Sequence, residues 1–136
     1  MGHLEGDKYR PLIFCSVTAT HPKIIRRRIE FMVDTGSDIT AISKKDMRAM
    51  GLSYDVLGTP LQSAVGISAP ARKWGVKDAI LRFVGDDNTV KTFGPVDIYI
   101  LETLEKTPSL LGRDFLIKYD FKLVYDIPNK EFFIEK

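Results

Sequence analysis

Short apolar runs rich in Val, Ile, Phe and Tyr, each closed by a turn signal, constrain this chain more than any other feature. Residues 12–18 and 24–33 read as two strands around the turn His21-Pro22-Lys23, and residues 39–42 read as a short third. Residues 61–67 and 74–84 flank the small-residue segment Gly66-Ile67-Ser68-Ala69-Pro70-Ala71. Gly85-Asp86-Asp87-Asn88 joins residues 81–84 to 89–93 as a hairpin, and residues 96–101 alternate as a further strand. Residues 121–126 and 132–134 form a last hairpin around Pro128-Asn129. Only two stretches read as helices. Residues 43–51 begin at Ser43, carry Asp46 in the first turn and end at Gly51, a residue suited to a left-handed helix end. Residues 113–119 follow the apolar run Ser109-Leu110-Leu111-Gly112. The expectation is a mainly β protein with one or two short helices.

With 136 residues, 44% of them hydrophobic, the chain suits one domain over residues 1–136, the first eight being a stretch that need not be ordered. A formal net charge of +2 gives no bulk attraction for nucleic acid. Arg26-Arg27-Arg28 is the one dense basic cluster; it reads as the solvated entrance to a strand, or as a site that selects acidic partners. The single cysteine, Cys15, excludes an internal disulfide and lies in a strand pattern as a core residue, not a nucleophile. His3 and His21 have no zinc-ligand spacing, no Gly-rich phosphate loop occurs, and no metal or cofactor is expected. Position 6 is Gly6, so the Met1-Gly2 start does not complete a myristoylation motif. No N-terminal stretch has the make-up of a signal peptide and no run approaches membrane-spanning length, so the expectation is a soluble, cytoplasmic protein with no membrane or nucleic-acid partner. Trp74 reads as core in preference to a pocket wall.

Chemistry concentrates in two segments. Asp34-Thr35-Gly36 stands between the apolar run 29–33 and Ser37-Asp38-Ile39-Thr40-Ala41-Ile42. Gly36 is suited to a backbone conformation closed to other residues, and Thr35 offers a hydroxyl to brace the loop. The second is Leu110-Leu111-Gly112-Arg113-Asp114-Phe115-Leu116, where Asp114 can support a helix N-terminus. Arg113, read as a guanidinium beside the core, calls for a carboxylate, with Asp38 the candidate.

In this order the two motifs resemble the retropepsin family of dimeric aspartic peptidases, including the peptidase domain of the DNA-damage-inducible ubiquitin-shuttle proteins. Arg10-Pro11-Leu12-Ile13 and Thr107-Pro108 extend the likeness over residues 10–121. The resemblance implies a closed β-barrel with a flap hairpin, and an aspartic endopeptidase that hydrolyses extended or unfolded polypeptides as a homodimer, without cofactor. It implies that Asp34 is the catalytic carboxylate, Thr35 bonds across the twofold axis, and Gly36 and Asp38 meet the substrate backbone. Arg113 then pairs with Asp38 of its own subunit and Arg10 with Asp38 of the partner, Asp114 belonging with them to the structural set. Val65, Gly66, Ile67 and Ser68 fall in the flap, where Ala69-Pro70 replaces a glycine-rich sequence and Pro70 has no N–H. The hairpin after residue 121 has no counterpart in the compact viral enzymes and is a candidate to rebuild the dimer interface. A dimeric module of the same fold that binds peptides without cutting them is the alternative.

Overall fold

A computed structural model describes residues 2–6, 8–21, 23–61 and 72–136. Nine strands and two six-residue helices are formed among them: β1 (His3–Glu5), β2 (Arg10–Ala19), β3 (Ile25–Val33), β4 (Ala41–Ile42), α1 (Lys44–Ala49), β5 (Lys73–Val84), β6 (Val90–Leu101), β7 (Ser109–Leu111), α2 (Arg113–Lys118), β8 (Lys122–Asp126) and β9 (Glu131–Glu135). A 3-10 turn occupies Tyr54–Leu57.

Strand β2 pairs with β3 on one side and, through Ser16, Val17 and Thr18, with β5 on the other. That second pairing closes six strands into a barrel in the order β2-β3-β7-β4-β6-β5. Closure removes two open sheet edges that would otherwise present unpaired backbone groups. The period-two pattern then decides the interior: Ile13, Cys15, Val17, Ile29, Phe31, Val76, Leu81, Phe83, Ile98 and Ile100 are all nearly inaccessible. Phe83, Phe93, Phe115 and Phe121 form an aromatic cluster with centroids 5.0–6.4 Å apart, which docks α2 on the barrel. Trp74 is core: it stacks on Tyr54 at 4.8 Å and its Nε1 donates to Gly58 O at 3.1 Å. Strands β8 and β9 form a separate hairpin, its inner residues Phe132 and Ile134 buried.

Helix α1 begins and ends where its sequence indicates. Ser43 Oγ accepts from Asp46 N, while Gly51 takes φ +77. Gly51 N–H donates to Arg48 O and Leu52 N–H to Met47 O, the paired bonds that close a Schellman end.

Three local expectations are corrected. Residues 39–42 give only the two-residue β4, because Thr40 N–H and hydroxyl turn to Asp114, leaving only its carbonyl to accept from Tyr99 N–H of β6. Residues 89–93 and 96–101 are one strand, not two, because the β5–β6 pairing absorbs two register shifts, one with the extra residue on β5 between Val76 and Ala79 and one with it on β6, where Gly94-Pro95 lies between Phe93 and Val96. Gly94 takes φ +132, and a Cβ there would stand 2.5 Å from Ala79 O. The N-terminal residues His3–Glu5, unassigned in the sequence, pair with β2. Leu61 makes an isolated bridge to Lys73; the rest of the predicted strand 61–67 lies outside the described residues.

Two outcomes follow. Gly94→Ala should lower unfolding free energy by about 1–3 kcal/mol. Gly75→Ala, whose Cβ meets only Leu61 Cδ1 at 3.6 Å, should change it far less; denaturant melts distinguish the two. Burial pushes the Cys15 thiol up to about 12. The unfolded chain, with an ordinary thiol pKa of about 8.5, loses its proton first, so stability from Cys15 is full below that value and is lost progressively above it. Iodoacetamide at mildly alkaline pH should therefore label Cys15 only at the rate of unfolding, as mass spectrometry would record.

Candidate active site

Strands β3 and β7 run parallel, with Phe31 opposite Ser109, Met32 opposite Leu110 and Val33 opposite Leu111. Parallel neighbours end on the same side of a sheet, so the segments following Val33 and Leu111 emerge together. This is why two motifs more than seventy residues apart become one site. Asp34 N–H donates to Leu111 O at 3.0 Å and Arg113 N–H to Ser37 O at 2.8 Å, stitching the loops.

Gly112 lets them come this close. Its own backbone is extended, at φ −93 and ψ 178, so conformational freedom is not the reason for glycine here. A Cβ would fall onto the Ile39 carbonyl and 3.0 Å from Ser37 O. Beneath this crossing lies a buried polar knot. Thr40 is 0% exposed; its N–H donates to Asp114 Oδ2 at 3.1 Å and its hydroxyl to Asp114 Oδ1 at 2.8 Å, while Gly112 N–H donates to Thr40 Oγ1 at 3.0 Å. A second knot ties α1 to β7: Ser43 N–H donates to Ser109 Oγ at 2.9 Å, and Ser109 Oγ donates to Asp46 Oδ2 at 2.6 Å.

The Asp34 loop rests on these ties and faces outward. Gly36 N–H donates to Asp34 Oδ1 at 2.8 Å, and Ser37 N–H donates to Asp34 O at 3.1 Å, an Asx-type turn closed by the carboxylate itself. Among the described residues Asp34 Oδ2 accepts no hydrogen bond. Asp34 is half-buried, whereas Thr35 and Gly36 are exposed, and no hydrogen bond forms to the Thr35 hydroxyl among the described residues. Gly36 is not in the left-handed region expected for it. A Cβ there would sit 3.1 Å from Asp34 Oδ1, a tight contact on the carboxylate that closes the turn.

Arg113 is ion-paired to Asp38. The side chains are 50% and 80% exposed, so this is a solvent-facing pair and not, as its sequence position indicates, a guanidinium against the core. Such a pair contributes only about 0–1 kcal/mol; its effect is to fix where the Asp38 carboxylate stands. Arg10 is exposed at the start of β2, opposite Glu5, and has no ion-pair partner among the described residues. Asp114 is drawn into the Thr40 knot as well as the helix start, donating nothing and accepting from Phe115 N–H at 2.7 Å. The candidate flap residues Val65, Gly66, Ile67 and Ser68 lie outside the described residues.

Sequence reading missed Thr40, Ser43 in its bond to β7, and Ser109. The signal for Thr40 was a hydroxyl residue set between Ile39 and Ala41-Ile42, where an apolar run has no use for one unless it is bonded.

Thr40→Val keeps the shape but leaves Gly112 N–H and part of Asp114 unpaired. It should cost about 1–3 kcal/mol, with Thr40→Ser recovering most of that. Chemical denaturation of the three proteins measures the difference.

Comparison with known proteins agrees with this geometry. The model of the family described as "gag-polyprotein putative aspartyl protease" matches residues 21–118. No curated protein matches the chain in sequence. Among solved structures, a retropepsin-like aspartic protease from Rickettsia conorii superposes with a TM-score of 0.61 at 17% identity, covering 99% of this chain and 97% of that one. EIAV protease, solved with the inhibitor HBY-793, gives 0.52 at 15% identity, covering 89% and 98%. The retroviral protease-like domain of Ddi1 from Leishmania major gives 0.51 at 11% identity, covering 91% and 88%. The parallel strands that deliver Asp34-Thr35-Gly36 beside Gly112-Arg113-Asp114, and a family model spanning most of the chain, place it in the gag-polyprotein aspartyl protease family, with the retropepsin-like fold.

Proposed function

We propose that this chain is an aspartic endopeptidase that works as a homodimer. The observation that carries the reading is the state of Asp34. One of its carboxylate oxygens is held by the loop and the other is open among the described residues, on an outward-facing turn anchored from below. A single domain over residues 1–136 supplies one such carboxylate, so a twofold partner supplies the second.

Two carboxylates brought together across the axis cannot both ionise comfortably, and in aspartic proteases generally such a pair shares one proton. The ionised member takes a proton from a water held between the two. The protonated member donates to the scissile carbonyl as that water attacks. The apparent pKa values belong to the pair and not to either copy. Thr35, exposed and with no bonded partner for its hydroxyl among the described residues, bonds its counterpart across the axis, and Gly36 and Asp38 meet the substrate backbone. Arg113 holds Asp38 in position, and Arg10 reaches Asp38 of the partner subunit. The Leu61 to Lys73 bridge brings together the ends of the intervening segment. In this reading Val65, Gly66, Ile67 and Ser68 form a flap over an extended peptide, which is held by strand-like bonds. Among the described residues no helix is long and apolar enough to cross a membrane, and a cytoplasmic setting is compatible with the free thiol of Cys15.

Cleavage of a diverse peptide library from mildly acidic to neutral pH tests the reading, with Asp34→Asn alongside. Wild type should cut and Asp34→Asn should not, with the melting temperature unchanged. In mixtures, activity should fall as the square of the wild-type fraction, because only dimers with two Asp34 carboxylates act. Cutting by Asp34→Asn overturns the mechanism. A folded dimer that binds peptides but never cuts them is instead the non-catalytic module of the same fold.

A further inference from the structure

The outer face of the barrel carries a groove unrelated to the Asp34 loop. Cross-strand register sets Arg28, Ser16 and Arg82 in one row over β3, β2 and β5, and Arg26, Thr18 and Ile80 in the next. Together with Arg27 they line a cavity of about 290 Å³ that has no carboxylate among its described lining residues. Arg26, Arg27, Arg28 and Arg82 are exposed, and among the described residues none forms an ion pair. Four uncompensated guanidinium groups on a chain of net charge +2 form a local field, not a bulk one. The groove continues into an adjoining depression of about 430 Å³, bordered by Thr18, Ile24 and Ile80 and ended by Asp78. Ile24 is 81% exposed there.

We infer that this groove binds an extended acidic peptide segment carrying an apolar side chain. Spacing is the first reason. Arg26 and Arg28 are separated by two strand residues, about 7 Å, and side chains at alternate positions of an extended peptide repeat at the same interval. Arg28 and Arg82 stand on the strands either side of β2, about 10 Å apart at the backbone, so the pair extends the charged row across the strands. Each guanidinium can take a carboxylate in two-pronged geometry. The second reason is the continuation: Ile24 and Ile80 offer apolar contact beside the charges, and Asp78 repels an acid at that end. The acidic portion of the peptide therefore lies toward Arg28 and Arg82. Single-stranded nucleic acid is disfavoured because its bases need an open aromatic face. The Phe14 ring beside the groove is covered by the Arg28 guanidinium, 4.0 Å from its centroid.

The test uses the Asp34→Asn protein, so that the probe survives and the result is independent of the proposed hydrolysis. A fluorescein-labelled decapeptide of alternating Glu and Ala with one Leu is titrated by anisotropy, beside its Gln counterpart. The acidic peptide should bind at least about tenfold more tightly, with affinity falling as salt rises. Arg26→Glu/Arg28→Glu should abolish binding, whereas Lys130→Glu, at the tip of the β8–β9 turn, should leave it intact. Circular dichroism checks folding, and Arg82→Gln with Arg26→Gln serves if the reversal does not fold. Equal binding of the Gln peptide, or binding unaffected by these substitutions, overturns the inference. Tighter binding of oligo-dT or tripolyphosphate than of the acidic peptide also overturns it, reassigning the groove to polyanions.

Discussion

Beneath the Asp34 loop, one buried threonine hydroxyl is shared between two strands' ends. Thr40 Oγ1 donates to Asp114 and accepts from Gly112 N–H, so a single atom joins the segment after β3 to the segment after β7. With Thr40 fully buried, its hydroxyl must be satisfied within the protein. The neighbouring backbone contact demands Gly112, because the Ile39 and Ser37 carbonyls occupy the space of any Cβ. Parallel pairing of β3 and β7 brings the two loops to one end of the barrel; the threonine and glycine fix their separation.

Stability and chemistry are consequently divided between layers. The lower layer, with Thr40, Asp114, Ser43, Ser109 and Asp46, is buried or half-buried and rich in mutual hydrogen bonds. The upper layer, with Thr35, Gly36, Asp38 and Arg113, is open to solvent. Its ion pair gains little in high dielectric, so its value lies in orientation. In the proposed dimer this arrangement presents the Asp34 carboxylate to its counterpart, anchored from below and open above among the described residues.

The barrel's outer face follows different rules. Alternation sends Ser16, Thr18, Arg26, Arg28 and Arg82 outward from the same strands whose other residues fill the core. Because β2 pairs on both sides, residues distant in sequence align into rows with a repeat set by strand geometry. A charge pattern on such a rigid surface is spatially fixed, which suits recognition of a chain that is itself extended.

Mainly β architecture, both helices and the Gly51 helix end were legible in residue order, because period, capping and turn chemistry act over a few neighbours, and the pairing of Arg113 with Asp38 was anticipated from their charges. Barrel closure was legible only through likeness to a family. Residue order also marked Arg26-Arg27-Arg28 as a basic run without indicating Arg82, which joins it only when β5 pairs with β2. It anticipated a left-handed Gly36 that the loop does not adopt, and it placed Arg113 too near the core, since its exposure depends on how loops from separate strands approach. The passage of one strand through Gly94-Pro95 depended on register shifts in its pairing with β5. Local sequence thus determined most of the elements and marked the two loops for comparison. Tertiary structure alone decided which of them meet, because parallel pairing, close backbone approach and shared buried hydrogen bonds join residues more than seventy positions apart.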